Sequence, residues 1–378
     1  MLYNQQGEAM FNVALFGAGK IGEAICGLLT LSGRYKVRVC DKDLERAKKI
    51  SSMWQGAEAL QLKLEDEAAT AQLLHGCDAV ISALPFHCNI PVAKIAVQQK
   101  VHYFDLTEDV ATTRAVTALS KDGPTVAMPQ CGLAPGFISI AAMHLAKMFD
   151  TIETVKLRVG ALPIYPSNRL KYNLTWSTEG LINEYANVCE AIQAGNRVQT
   201  LPLEGLESFS LDGAEYEAFN TSGGLGSLAD TLASKVHNLD YKTVRYPGHR
   251  DLIAFLMQDL RFTDDRETLA RVFERSISFT PQDKCLIFVT ATGTFKHKLV
   301  QRTYASTVYN TTVGGNHFGA IQVTTASGIC APMDLFLTGK LGARKGIIRL
   351  EDVPLVDFLD NEFGKYYRDE RALQGIAA

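Results

Sequence analysis

Residues 12–22 read NVALFGAGKIG, and EAICGLLTL follows at 23–31. The stretch 12–17 is a short apolar, β-leaning run. It leads into Gly17-Ala18-Gly19-Lys20-Ile21-Gly22, a complete GxGxxG, and the residues beyond carry apolar side chains at helical spacing. Strand, glycine turn and helix in that order form the setting in which this motif cradles a dinucleotide. Gly17 permits the tight turn. Gly19 lets backbone approach a pyrophosphate with no Cβ in the way, and Gly22 lets the helix pack close on the strand. The N–H groups left unpaired at the helix start then meet the phosphates.

A second strand, Lys36–Cys40 (KVRVC), ends at Asp41. An acid about 20 residues past the glycines hydrogen-bonds the adenosine ribose hydroxyls. Its charge repels a 2′-phosphate, so NAD is favoured over NADP; Lys42 next door offsets part of that repulsion. An ordinary turn acid is the plain alternative for Asp41.

Strands and helices continue to alternate. Expected strands are 58–62, Asp78–Ala83, Val101–Asp105 and Thr125–Met128. Expected helices are Asp43–Trp54, Glu67–His75, Ile90–Gln99 and Asp109–Ser120. Alternation at this spacing means a doubly wound parallel sheet of Rossmann type. Ligands of such sheets sit beyond the carboxyl ends of the strands. That nominates Ala83-Leu84-Pro85, Asp105-Leu106-Thr107 and Cys131-Gly132-Leu133 as a pocket rim.

Composition narrows the class. The chain has 378 residues, 47% of them hydrophobic and 21% charged, with a net charge of −3. That is too apolar for disorder, and the acidic balance disfavours nucleic acid and anionic membranes as partners. No apolar run approaches the roughly 20 residues needed to cross a bilayer, and the opening MLYNQQGEAM has no apolar core of a secretory leader. Eight scattered cysteines without a CxxC pair point to reduced thiols in a cytoplasm, and to neither zinc nor disulfides.

From Thr154 the pattern changes. Thr154–Leu162, Tyr172–Trp176, Cys285–Thr294 and Lys298–Tyr309 read as strands, the last two as a hairpin, with helices expected over Glu179–Ala194, Leu225–Val236 and Asp251–Leu260. The grouping implies an inserted α+β substrate and dimerisation domain. The expected division is 11–133 for the nucleotide domain, 134–323 for the insert, and 324–378 as a segment that returns to the first domain.

No GxSxG, HExxH, P-loop or zinc spacing is present. Hydride transfer asks the protein for a cofactor site, cations for a substrate carboxylate and a group to move a proton. The densest candidate cluster is TVRYPGHRD at 243–251, expected as a loop. Arg245 suits a two-pronged bond to a carboxylate, and His249 suits proton transfer. A solvated helix start and a packing histidine are the plain alternatives. Tyr172 and Trp176 line a pocket or simply pack, and Asn220-Thr221 opens a polar glycine loop. For Asp105, cofactor ribose, substrate amine and plain turn are all open.

The stretches ALFGAGKIG (14–22), ISALPFH (81–87), CGLAPGF (131–137), TWSTEGLINEY (175–185), EAFNTSGGL (217–225) and TVRYPGHRD (243–251) resemble, in order, those of the saccharopine dehydrogenase-like family, most of all its lysine 6-dehydrogenase branch. The resemblance implies NAD(P)-dependent chemistry at a C–N bond of an amino acid and a homodimer. It implies pyrophosphate contacts from Gly17, Ala18, Gly19, Lys20 and Ile21, and ribose contacts from Asp41, with Leu84 and Pro85 flanking a ribose. Substrate contacts would fall on Asp105, Asn220-Thr221 and Thr243-Val244-Arg245. Thr221 stands where saccharopine reductases align an arginine, which favours lysine or a related diamino acid over saccharopine. His249 is the first expectation for the proton-transfer residue and Asp105 the second. The competing readings are a saccharopine- or carboxynorspermidine-forming reductase using NADPH, and a catalytically silent NAD(P)-binding protein.

Overall fold

The computed structural model describes residues 2–3, 9–342 and 344–369, with side chains from residue 9 onward. Most of the polar opening and the end of the 324–378 segment lie outside the described residues. The chain divides into two compact units. One is Met1–Phe137 with Thr312–Asn316 and Gln322–Tyr366; the other is Ile138–Thr311 with His317–Ile321 and Tyr367–Ala378.

In the first unit, seven parallel strands lie in the order Gly346–Ile347, Val126–Met128, His102–Asp105, Ala79–Ser82, Ala9–Phe16, Tyr35–Asp41, Ala57–Gln61. The central strands are apolar on both faces because helices cover both. Three of those helices start at a carboxylate cap. Asp43, Asp66 and Asp109 accept hydrogen bonds from the N–H groups of Glu45, Ala69 and Thr112. The strand order reverses beside Ala9–Phe16, so the GxGxxG turn lies at the switch point of the sheet.

The helix Ala320–Leu337 is long and apolar enough, by length and composition alone, to cross a membrane. It is 83% buried inside the protein, as a core helix is. Gly328 lets it approach the 131–132 loop, since a Cβ there would stand 2.6 Å from the Gly132 carbonyl oxygen. Its Asp334, 3% exposed, accepts from the Tyr35 hydroxyl at 2.5 Å, from Asn361 Nδ2 at 2.6 Å and from Arg34 Nη1 at 2.7 Å. One carboxylate thus ties the second strand, this helix and the 361–363 turn.

The second unit holds a mixed sheet. Its order is Asn196–Thr200, Cys189–Gln193, Val236–Arg245, Thr151–Pro163, Asp283–Phe295, Lys298–Tyr309, and the hairpin Glu207–Leu211/Ala214–Asn220 joins Val236–Arg245. Val236–Arg245 runs parallel to Thr151–Pro163 and antiparallel to Ala214–Asn220.

Several expectations fail in this unit. Tyr172–Trp176 is no strand; among the described residues its one ladder contact is the bridge Leu174–Phe279, and Asn168 holds both backbone groups of Tyr172. The helix expected to reach Ala194 stops at Ala186. Cys189–Gln193 is instead half of a hairpin turned by Ala194-Gly195, both at positive φ. The helix expected over Leu225–Val236 shrinks to Leu228–Thr231, and Ser234 at φ 63° precedes a strand. The 243–245 stretch, read as loop, is the end of that strand. The last expected helix begins earlier, at His249, and widens to a π-turn over Phe255–Asp259.

Replacing Asp334 by alanine removes the acceptor of the Tyr35 phenol and the Asn361 amide and leaves Arg34 with Glu362 alone. We expect a loss of about 3 kcal/mol, read as a lower urea midpoint at unchanged m value.

Candidate active site

The glycine turn divides its labour as the spacing predicts. Gly17 stands at φ 109°, and a Cβ on it would lie 2.6 Å from the Ala83 carbonyl oxygen. A Cβ on Gly22 would lie 2.0 Å from the Gly17 carbonyl oxygen, so helix and turn touch through the missing side chain. Gly19 differs: its φ is −88°, and a Cβ there would meet nothing within 4 Å. Nothing in the protein itself requires glycine at 19. The open backbone at the start of Lys20–Leu31 is what a pyrophosphate would need.

Around this turn the sheet ends bring other candidates together. Ala83 N–H donates to the Phe16 carbonyl at 2.8 Å. Leu84 packs half-buried on the nucleotide-unit core, and Pro85 is exposed at the head of a 3-10 turn. Asp41, 9% exposed, accepts from the Ala18 N–H at 2.7 Å and from the Asp43 N–H at 2.9 Å. The acid offered for the ribose therefore also braces the glycine turn. Lys42 and Lys20 are exposed, and Ile21 is half-buried.

Asp105 does not present itself as a proton acceptor for substrate. It is fully buried, and its oxygens accept from the Tyr103 hydroxyl at 2.8 Å and the N–H groups of Gln130 (2.9 Å) and Thr107 (3.0 Å). Burial pushes its carboxyl up to about 6. Its bonds join the end of one strand to the loop that follows the next, which is a brace.

In the second unit, Arg245 is 2% exposed. Its Nε donates to the Tyr185 hydroxyl at 3.0 Å, and Nη1 donates to the Val244 carbonyl at 2.9 Å and to Thr243 Oγ1 at 3.4 Å. Its Cζ lies 5.1 Å from the centre of the Tyr172 ring and 5.9 Å from that of Tyr185. Among the described residues, Nη2 has one anionic neighbour, Glu184 Oε2 at 3.9 Å, beyond hydrogen-bond range.

His249 is 1% exposed. Its Nδ1 lies 2.7 Å from the Leu170 carbonyl oxygen, which can only accept, so Nδ1 carries the proton. Nε2 must then accept from the Tyr185 hydroxyl at 3.0 Å. The chain of donors runs from Arg245 Nε to Tyr185 to His249 and ends at Leu170. Burial first, and the Arg245 charge second, push the imidazole down to about 3. The expectation that His249 shuttles a proton is thereby corrected: it is a neutral imidazole with both nitrogens engaged, and it positions Tyr185. Glu217, unremarked in the sequence, fixes its turn by accepting from the N–H groups of Gly248 (2.8 Å) and Arg250 (2.6 Å).

Two further substrate candidates face away. Alternation along a strand puts Val244 opposite Thr243 and Arg245, and its side chain packs with Leu162, Tyr216, Ala218 and Leu286. Asn220 pairs in register with Lys242 on that same other face and donates to the Leu201 carbonyl at 3.3 Å. Thr221 is buried, with no partner for its Oγ1 among the described residues. Ser222 N–H ties its loop to the Glu184 carbonyl at 3.1 Å. Tyr185, Glu184 and Phe219, whose ring stacks on His249 at 13° and 6.4 Å, came from stretches quoted only for their resemblance.

Fold and glycine cradle define a Rossmann-type dinucleotide-binding protein with a second, mixed-sheet unit. Two family models match it: the saccharopine dehydrogenase NADP binding domain over residues 13–128 and the saccharopine dehydrogenase C-terminal domain over 132–365. The chain belongs to the saccharopine dehydrogenase family. It is 26% identical over 266 residues to saccharopine dehydrogenase (NADP(+), L-glutamate-forming) of Pyricularia oryzae, covering 68% of this chain and 59% of that one. The enzyme of the same name from Saccharomyces cerevisiae is 26% identical over 212 residues, 52% of this chain and 45% of that one. The chain thus matches about half the length of these relatives. Among solved structures, apo saccharopine dehydrogenase (L-Glu forming) from Saccharomyces cerevisiae superposes with a TM-score of 0.74 at 16% identity, over 93% of this chain and 97% of that one. The homospermidine synthase of Legionella pneumophila in complex with NAD gives 0.64 at 14%, over 94% and 89%. At these identities the likeness is one of fold.

The His249 assignment sets a pH dependence. Its folded value of about 3 lies below the ordinary 6.5, so the stability it contributes is complete above that ordinary value and is lost as pH falls from there towards 3. Between about pH 7 and about pH 5, wild type should lose about 2 kcal/mol more than His249→Gln, measured by urea unfolding. Equal losses in both proteins would rule out a buried neutral imidazole.

Proposed function

We propose that this protein is an NAD(P)-dependent oxidoreductase acting at a C–N bond of an amino acid, with lysine or a related diamino acid favoured. The observation that carries the substrate class is Arg245. The Glu184 carboxylate answers its charge at 3.9 Å without reaching hydrogen-bond range, so Nη2 keeps donors to offer a second carboxylate. Thr243 and Thr221 add hydroxyls in the same unit.

The cofactor reading rests on Gly17, Ala18, Gly19, Lys20 and Ile21, with Asp41 for the ribose hydroxyls and Ala83-Leu84-Pro85 along the rim. When bound, the nicotinamide supplies hydride exchange with the carbon that bears nitrogen. The protein binds and orients. Arg245 anchors the carboxylate, Tyr185 and His249 hold Arg245 in place, and Asp105 keeps the rim loop fixed. Asp41 favours NAD, because a 2′-phosphate would set two negative charges together; Lys42 is the group that would relieve them. The relatives' names carry NADP(+), which supports the competing reading of a reductase using NADPH.

We assign 11–133 to the nucleotide, 134–323 to substrate and subunit pairing, and 324–378 to completing the nucleotide unit. We place the protein in amino-acid metabolism, of lysine or its relatives, as a cytoplasmic homodimer with neither nucleic acid nor membrane as partner.

The test is a screen of NAD(P)H fluorescence against amino acids and against keto-acid and amine pairs, with both coenzymes. Turnover of a diamino acid with NAD is expected; coenzyme binding without turnover of any pair would mark a silent binding protein. Gly19→Ala should weaken coenzyme binding about 10-fold or more while leaving the melting temperature in place, because its Cβ meets only the ligand. Arg245→Ala should raise KM for the amino acid with coenzyme affinity unchanged, and an unchanged KM would remove Arg245 from the substrate site.

A further inference from the structure

We propose that Gln322 is a positioning residue for the coenzyme: its side chain fixes the peptide unit that offers the Ile21 N–H to the pyrophosphate. This inference rests on the reading of the glycine turn as a coenzyme site.

The helix that starts at Lys20 has Gly19 as its N-cap, and the Glu23 N–H donates to the Gly19 carbonyl at 2.9 Å. The N–H groups of Lys20, Ile21 and Gly22 come before that bond and have no carbonyl of the helix to meet. They are the donors that a diphosphate takes. Their aim matters, because a hydrogen bond weakens steeply as it bends.

Gln322 reaches this place from 302 residues further along the chain, and its Nε2 donates to the Lys20 carbonyl at 3.2 Å. A carbonyl only accepts, so the amide nitrogen is the partner. The Lys20 C=O and the Ile21 N–H belong to one planar peptide unit and point opposite ways. Holding the oxygen therefore sets the direction of the N–H.

The bond comes from a firm base. Gln322 lies in the first turn of the helix Ala320–Leu337, where Asp283 accepts from the N–H groups of Ala320 at 2.5 Å and Ile321 at 3.1 Å. Val323, Ala326, Ile329 and Cys330 of that helix are plain packing groups, each 1% exposed or less, and Gln322 itself is 7% exposed. Burying an amide costs desolvation, which its hydrogen bond offsets. A methionine of the same length packs without that cost. Packing alone thus asks for no amide at 322, and what the amide adds is direction.

The test compares wild type with Gln322→Met, which keeps the length and loses the donor. Binding of NADH, ADP and adenosine is measured by calorimetric titration of the full chain. The variant should bind NADH and ADP about 5-fold or more weakly, and adenosine as wild type does, since adenosine carries no phosphate. Equal losses for all three ligands mean a general distortion of the site and overturn the proposal. An unchanged ADP affinity overturns it too.

Hydrogen exchange on wild type gives a second reading that needs no variant to fold. ADP should slow exchange over 320–326 as well as over 20–23, and adenosine should leave 320–326 unchanged. Protection confined to 20–23 overturns the proposal. Gly19→Ala in the same titrations separates the two layers. If it weakens ADP binding while Gln322→Met does not, the cradle stands and the positioning role is wrong. If wild type binds neither a nicotinamide dinucleotide nor ADP, the coenzyme reading is wrong and this inference falls with it.

Discussion

The second unit is organised by a charge that cannot be neutralised. Arg245 stands at the end of a central strand, 2% exposed, and a guanidinium stays protonated in any protein environment. Everything near it answers that fact. Val244 turns its carbonyl to Nη1, Thr243 offers a hydroxyl, two tyrosine rings lie against the cation, and Glu184 stands nearby. His249 completes the arrangement by staying neutral, since burial first, and repulsion by the Arg245 charge second, disfavour a positive charge there. Its tautomer follows from a carbonyl that can only accept.

The same constraint explains why residues from distant stretches meet here. Tyr185 comes from a helix whose start is capped by Ser177. Phe219 and Glu217 come from the strand beside Arg245, one packing on the imidazole and the other holding the N–H groups of its turn. The stretches TEGLINEY, EAFNTSGG and RYPGHR contain no motif with a chemistry of its own. Their common content is a scaffold for one cation, which becomes visible only when the strands are paired.

The first unit was largely legible because its signals are local. A parallel sheet buried on both faces gives short apolar runs, and three of its helices begin with a capping acid, Asp43, Asp66 and Asp109. The second unit was not, because mixed sheets with one partly polar face mimic helical spacing. The run from Val236 to Arg245 carries His237, Asp240, Lys242 and Arg245, and it reads as loop or helix until its neighbours are known. Its polar side chains are satisfied by cross-strand partners, as when Lys242 Nζ reaches Glu207 at 2.9 Å. One cue was present and unused. Asp212-Gly213, both at positive φ, turns the hairpin that flanks Arg245, and Asp-Gly between β-leaning runs is a strong hairpin signal.

The site was legible in its residue types and not in their roles. Arginine, histidine and threonine within 243–251 do come together, but spacing alone does not tell a titrating histidine from a neutral one. The difference lies in what the ring nitrogens face. An imidazole open to solvent exchanges protons near neutrality; one fixed between a carbonyl and a phenol, beside a guanidinium, is an acceptor of set direction. The consequence for this unit is that its buried polar groups form a chain of fixed donors with no mobile proton among them. Such a chain fixes the guanidinium in one orientation.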